Sequence, residues 1–367
     1  MRSTFTIFGI LLLLSFMLVQ CTSTNQQKPE ILVTLPDNCN TPDGCTLAPN
    51  NDIILSIPNL NNPALLAQGM IEKEAAPVML KINTKNEVEE FYVFKAEDYH
   101  PQTGKLGPMG CDFGPDGNLY VADSQLNFNP NNVSRILRIN IENGKAVSCD
   151  VVIEGFVVPN AVIWKENTLF VSETMLVPPT KDGGMGAIYK FNIDEWSDKP
   201  VHIKTYTDAI QDSHLIEKFE TSGRIGFSAD GLTFDGQGNL YCSIFEDGTI
   251  FKTTFNSNGL VKETTLFAQD EKMASADGIF WNKTDNKIYA ADMLKNAVQA
   301  IDMNGNVSTV YENGDTDGSE GSFDQPCEVI VRGNELIVVN MDMYFESEWL
   351  KNTKIDKPFT LSKFDLN

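Results

Sequence analysis

The stretch Ser228–Ser243, SADGLTFDGQGNLYCS, recurs with variation at Ser275–Ala291 as SADGIFWNKTDNKIYAA. Each copy runs Ala-Asp-Gly, a bulky apolar pair, a polar Asp/Asn/Gly turn and a short alternating apolar run. That order predicts a strand, a tight turn and a second, antiparallel strand. Related units begin at Asp43 (DGCTLAPNNDIILSIPN), Gly107 (GPMGCDFGPDGNLYVADSQ), Val158 (VPNAVIWKENTLFVSET) and Asp324 (DQPCEVIVRGNELIVVNMD). A repeated hairpin unit buries its apolar faces only against its neighbours, so the chain is committed to a repeat architecture. Six successive units of three or four short strands predict an all-β fold, a six-bladed β-propeller. The last unit supplies about three strands, while Glu30–Pro36 (EILVTLP) is a strand with no hairpin partner nearby. That N-terminal strand is expected to complete the sixth blade and close the ring, which removes two unpaired sheet edges. Two separate β-sandwiches are the alternative, and the even repetition of the hairpins speaks against them. Helical periodicity is confined to a short stretch near Ala209–Phe219.

Hydrophobic residues make up 42% of the chain, which marks a globular body, and the formal net charge of −22 repels phosphate backbones and anionic lipid headgroups. Nucleic acid is therefore set aside as a partner. The N-terminus begins Met1-Arg2, continues with an apolar run from Phe5 to Val19 and reaches Gln20-Cys21. The run is short for a membrane span and has the form of a bacterial lipoprotein signal, in which Cys21 becomes the lipidated residue. Gln20 departs from the small residue usual before that cysteine. On this reading residues 1–21 are the signal, 22–29 a polar tether and 30–367 one propeller domain. The mature protein is expected in the bacterial cell envelope as an outer-membrane lipoprotein held by its lipid anchor, with a periplasmic or secreted form as the alternative. Six further cysteines remain, of which Cys39 and Cys45 are near enough in sequence to close a small loop. No Cys/His spacing resembles a zinc site.

The innermost strand of each propeller blade starts beside the central channel, so the residues at those starts converge. Along the chain these positions are Cys45 or its neighbours, Met109, Asn160, Asp230, Asp277, and Cys327 followed by Glu328. A single Asp-Gly pair ordinarily makes a turn. Carboxylates and an amide meeting in one channel form a hard-oxygen set suited to Ca²⁺, Mg²⁺ or Mn²⁺, because like charges brought together require a counter-ion or raised proton affinity. His100 precedes the second unit and is expected at the surface. The acidic loop Asp315-x-Asp317-Gly318-x-Glu320 lacks the EF-hand spacing and reads as a solvated connection. No GxSxG nucleophile elbow is present.

Four stretches carry a family resemblance: PNAVIW at Pro159, SADGLTFDGQGNLY at Ser228, SADGIFW with KIYAAD at Ser275, and NGDTDGSEGSFDQPCE from Asn313. The chain resembles the family of senescence marker protein (regucalcin), gluconolactonase and related lactonases. The resemblance implies one divalent cation in the central channel, Ca²⁺ first and Mg²⁺, Mn²⁺ or Zn²⁺ as alternatives, and hydrolysis of a small sugar-derived lactone or related ester. It places Asn160 and Asp230 on the metal, with Asp277 and Glu328 as further ligands, and Asp230 or Asp277 as the catalytic base. The family opens its first blade with Glu-Gly-Pro, whereas this chain has Asp43-Gly44-Cys45-Thr46, so Asp43 or Glu328 would have to substitute. A second reading follows from that departure: a non-catalytic envelope propeller that binds a glycan or protein partner. Three loops, Ser124–Ser134, Met175–Gly186 and Met343–Lys354, are expected to surround the substrate entrance.

Overall fold

Asp235 shows how each hairpin is made. Its Oδ1 accepts hydrogen bonds from the backbone N–H of Gln237 and Asn239, both at 2.9 Å, and its Oδ2 accepts from the Asn239 side chain at 2.7 Å. The carboxylate thereby fixes the turn between strands Ala229–Phe234 and Leu240–Ile244, which pair antiparallel in register from Phe234 with Leu240. Asp116 and Asp302 build turns of the same kind with Asn118 and Asn306.

The computed structural model describes residues 27–180, 183–344 and 348–366. Its strands form six sheets, each with a four-stranded antiparallel body, arranged as the blades of a propeller. The inner strands are Cys45–Leu47, Pro108–Phe113, Pro159–Lys165, Ala229–Phe234, Ile279–Asn282 and Pro326–Arg332, one per blade in that order. The N-terminal strand Glu30–Thr34 pairs antiparallel with Thr360–Asp365, Thr34 opposite Thr360, and is the outermost strand of blade 6. Closure therefore runs as the isolated EILVTLP strand predicts.

Second strands such as Ile53–Ile57, Leu119–Asp123 and Leu240–Ile244 are buried along their whole length, because each blade is covered on both faces by its neighbours. The core is accordingly divided between blades. Tyr241 and Ile250 of blade 4 pack with Ile279, Ile288 and Ile301 of blade 5, while Phe170 and Ile188 of blade 3 pack with Leu232 and Leu240 of blade 4. Burial of this kind contributes roughly 25 cal/mol per Å² of apolar surface.

Five expectations need correction or fall outside the described residues. The stretch expected as a short helix near Ala209–Phe219 instead supplies Leu215–Thr221, the outer strand of blade 3; buried Phe219 and Thr221 alternate with Lys218 and Glu220 on the more open face, which suits a half-covered sheet edge. Among the described residues the α-helix is Asn62–Ala67, with a proline in its first turn. Blade 2 gains a fifth strand, Val201–His202, running parallel to Lys145–Phe156. Cys39 and Cys45 do not pair, and Cys39, Cys45, Cys111, Cys149, Cys242 and Cys327 are all free thiols, most of them buried. His100 is also buried rather than on the surface; its Nδ1 accepts from the Gln102 N–H at 3.2 Å, and burial together with the Arg135 charge lowers its pKa. Cys21 and the signal-like segment lie outside the described residues, among which no helix is long and apolar enough to cross a membrane.

Candidate active site

A repeated acidic clasp sets the start of each inner strand. At the end of the second strand a side-chain oxygen reaches back to the backbone of the segment that leads into the inner strand. Asp123 accepts from the Gly107 N–H at 2.9 Å, and Glu173 accepts from those of Val157 and Val158 at 2.8 and 2.5 Å. Glu246 takes three donors, the N–H groups of Gly223, Ile225 and Gly226, at 2.6–2.7 Å. Asp292 takes those of Ala274 and Ser275 at 3.0 and 2.9 Å. Asn59 and Asn340 do the same with one donor each in blades 1 and 6. These bonds satisfy otherwise orphaned buried amides and fix where the next residues enter the channel.

Neighbouring inner strands then approach closely. A Cβ on Gly231 would lie 2.6 Å from the Asp277 carbonyl oxygen, and one on Gly278 would collide with the Glu328 carboxylate. Glycine after each aspartate is thus required for close approach between blades rather than for a turn. The Ser243 hydroxyl donates to the Asp277 carbonyl at 2.6 Å, and the Thr174 hydroxyl to the Ala229 carbonyl at 2.8 Å, which ties adjacent blades together at the channel.

This framework brings Asn160, Asp230 and Asp277 to one cavity, as their positions in the repeat lead one to expect. The Asn160 Nδ2 donates to Asp230 Oδ1 at 2.8 Å, and the carboxyls of Asp230 and Asp277 hydrogen-bond to each other. Asp43 lines the same cavity. Its N–H bonds the Ser56 carbonyl and the Ser56 N–H bonds the Gly44 carbonyl, at 3.0 and 2.9 Å. Asp277 and Gly278 form the same pair of bonds with Ala291, at 2.9 and 3.0 Å. Asp43 is therefore the blade 1 counterpart of Asp277. Within the expected entry at Cys45 or its neighbours, the Asp-Gly dipeptide shared with Asp277-Gly278 marks Asp43.

Glu328 is placed differently. It follows Cys327, strand alternation turns it away from the cavity mouth, and it lines a second cavity further along the inner strands with Asp112 and Thr46. Its N–H neighbour Val329 donates to its own Oε1 at 2.8 Å. Of the two residues offered as a substitute for the absent glutamate, Asp43 is the one beside Asn160, Asp230 and Asp277.

Burial raises the proton affinity of these acids. The Asp43 carboxyl is pushed up to about 7 by burial and then by the Asp230 charge. Asp230 is also raised to about 7 by burial, against the stabilising bonds from Asp277 and Asn160. Asp277 goes further up, from burial and then the charges of Asp230 and Asp43, although it is the most open of the three to the cavity. The groups acting on all three are acidic or neutral, and none of them forms an ion pair with Lys or Arg among the described residues. No three Asp, Glu, His or Cys side chains among the described residues make a ready metal cage on their own. The donor set offered by the channel is mixed, carboxylates together with the Asn160 amide, and uncompensated oxygen donors of this kind fit a hard divalent cation.

The cavity, about 110 Å³, has these polar groups at its floor and walls that include Leu126 and Asn127 of the first expected entrance loop and Met343 of the third. The second loop is not a loop over most of its length, since Thr168–Thr180 and Gly183–Asn192 carry the blade 3 hairpin through it.

A closed six-bladed propeller with a buried acidic cluster at the head of its channel is the class of protein defined so far. Residues 92–265 match the family described as the SMP-30/Gluconolactonase/LRE-like region, as the sequence resemblance leads one to expect. The matched portion contains Asn160 and Asp230, while Asp43 and Asp277 lie outside it. Among solved structures the chain is similar to a gluconolactonase from Xanthomonas campestris, at 10% identity over 92% of this chain and 95% of that one, with a TM-score of 0.54. It is also similar to luciferin-regenerating enzyme, at 11% identity, coverage of 92% and 96% and a TM-score of 0.57. A third, the PQQ-bound aldose sugar dehydrogenase from Streptomyces coelicolor, shares 13% identity with coverage of 92% and 98% and a TM-score of 0.54. At such identities these likenesses establish the fold, and the differing activities in those names leave the chemistry to the site. No curated protein matches the sequence.

Proposed function

We propose that the protein is a metal-dependent lactonase-like hydrolase of small-molecule lactones or related carboxylic esters. The observation that carries this reading is the convergence of Asp43, Asn160, Asp230 and Asp277 on one cavity without a basic partner among the described residues. Those four residues would hold a divalent cation, Ca²⁺ in the first instance, with Mg²⁺, Mn²⁺ and Zn²⁺ as alternatives. When bound, such an ion supplies Lewis-acid polarisation of the substrate carbonyl and stabilises negative charge on its oxygen.

The chain's own part is proton handling and positioning. Asn160 fixes Asp230 Oδ1, so the carboxylate is held in one orientation at the cavity floor. Held by the Asn160 amide and facing Asp277, Asp230 is placed to take a proton from an attacking water. Water oxygen bonds to the carbonyl carbon, the ring C–O bond breaks, and the proton taken by Asp230 or Asp277 passes to the departing alkoxide.

Export and anchoring belong to the same proposal. The Met1–Cys21 segment supports a lipoprotein route to the bacterial envelope, with acylation at Cys21. Incorporation of labelled palmitate, lost in Cys21→Ala, checks it.

The catalytic reading is tested by hydrolysis of simple lactones by purified protein with Ca²⁺, Mg²⁺, Mn²⁺ or Zn²⁺ added. Metal-dependent turnover abolished in Asp230→Ala supports it. Failure to bind any of the four ions contradicts it.

A further inference from the structure

A cavity that selects polyhydroxylated sugars needs hydroxyl-facing donors and acceptors along its walls, because each buried substrate hydroxyl without a partner costs affinity. This cavity keeps its charged groups at the floor. Its walls are built largely from Met109, Met293, Met341, Met343, Phe227 and Phe245. No Lys, Arg, His, Tyr or Trp lines it among the described residues, so it offers neither a cationic clamp for a carboxylate or phosphate nor the indole or phenol commonly used as a sugar platform. Of the neutral polar side chains on the wall, Thr174 spends its hydroxyl on the Ala229 carbonyl at 2.8 Å, which leaves Ser124 and Asn127 together on the blade 2 side. The two phenylalanines meet edge to face with centroids 6.0 Å apart and carry no O–H or N–H to offer a sugar hydroxyl. Methionine adds an unbranched, polarisable surface that adapts to flexible hydrocarbon.

We infer that the ligand is a neutral lactone or cyclic ester bearing an alkyl or similar apolar substituent, with the ester group on the acidic floor and the hydrocarbon against the methionine-rich wall. The inference rests on the lactonase reading for the identity of the reacting group, and on the wall alone for the substituent.

The experiment compares kcat/KM, with Ca²⁺ present, for δ-lactones bearing a butyl or hexyl chain and for glucono-δ-lactone. Calorimetric binding of the corresponding alkyl and polyhydroxylated δ-lactams, which resist hydrolysis, is measured alongside. The expected result is a preference for the alkyl lactones of at least about 100-fold, given that one methylene in an apolar pocket is worth roughly 10–200-fold. Leu126→Asn on the wall should shrink that preference about 10-fold by the same reasoning. If glucono-δ-lactone is the better substrate, the inference is overturned and the lactonase reading stands. If neither lactone turns over but the alkyl lactam binds and the hydroxylated one does not, the ligand class stands and the catalytic reading falls. If neither lactam binds, the inference is overturned.

Discussion

Two sets of buried acids occupy the same propeller and have opposite surroundings. The clasp residues Asp123, Glu173, Glu246 and Asp292 each accept hydrogen bonds from one to three backbone N–H groups, and Asp123 also pairs with Arg135 at 2.5 Å. The channel residues Asp43, Asp230 and Asp277 are buried or nearly so, yet their side chains have little more than one another and Asn160. A carboxylate surrounded by donors holds structure together. Carboxylates gathered against their own repulsion oppose folding and persist for what they bind or do. The lesson is that burial alone does not mark a functional acid; the balance of donors around it does.

Breaking the clasps should show the largest effects. Asp123→Ala strands the Arg135 guanidinium, whose exposure is only 4%, and should cost about 3–5 kcal/mol in urea unfolding. Glu246→Ala leaves three backbone amides of the loop before Asp230 without their acceptor, and should cost about 3 kcal/mol at the roughly 1–3 kcal/mol expected per stranded donor, with some solvent entry.

A third group tests how far the comparison extends. Burial first, and then the charges of Asp356, Asp315 and Asp317, push Asp324 up to about 8. Burial and the Asp324 charge push Asp342 up to about 9. Both values exceed the ordinary aspartate value of about 4, so between pH 4 and 9 the folded chain binds protons that the unfolded chain has released. Stability should therefore fall as pH rises through that window, read as a declining urea midpoint between pH 5 and pH 9. Asp342→Asn should flatten the decline, since an amide has no proton to lose. The smallest effect is expected in the channel. Asp230→Asn removes one charge from the repelling set and should leave stability unchanged or raise it by about 1 kcal/mol, measured without divalent metal.

Much of the fold is legible in the sequence because local chemistry carries it. Asp235, Asp116 and Asp302 fix their turns through residues two to four positions away, and alternation in the neighbouring strands sets their faces. The strand at Glu30 is legible by subtraction, since a ring must close. Asn160, Asp230 and Asp277 follow from the repeat, because equivalent positions in successive blades converge. What is not legible depends on register and distance. Whether Asp43 or Cys45 heads blade 1 turns on a two-residue offset that only its bonds to Ser56 resolve. Glu328 and Asp43 look interchangeable as acids until strand alternation sends one to each cavity. The clasps do leave a trace, an acid closing each apolar run in LYVAD, FVSET and KIYAAD. Their purpose is invisible there, because the amides they hold lie 15–23 residues earlier in the chain.

The central claim, that the channel acids are gathered for a cation, is tested most directly by the unfolding free energy of Asp230→Asn and wild type with and without Ca²⁺. The account predicts that the wild type gains about 2.7 kcal/mol at Ca²⁺ a hundredfold above its dissociation constant, and that the variant, no less stable without the metal, gains little or nothing. An equal gain in both proteins, or a variant markedly less stable in the absence of Ca²⁺, would contradict it.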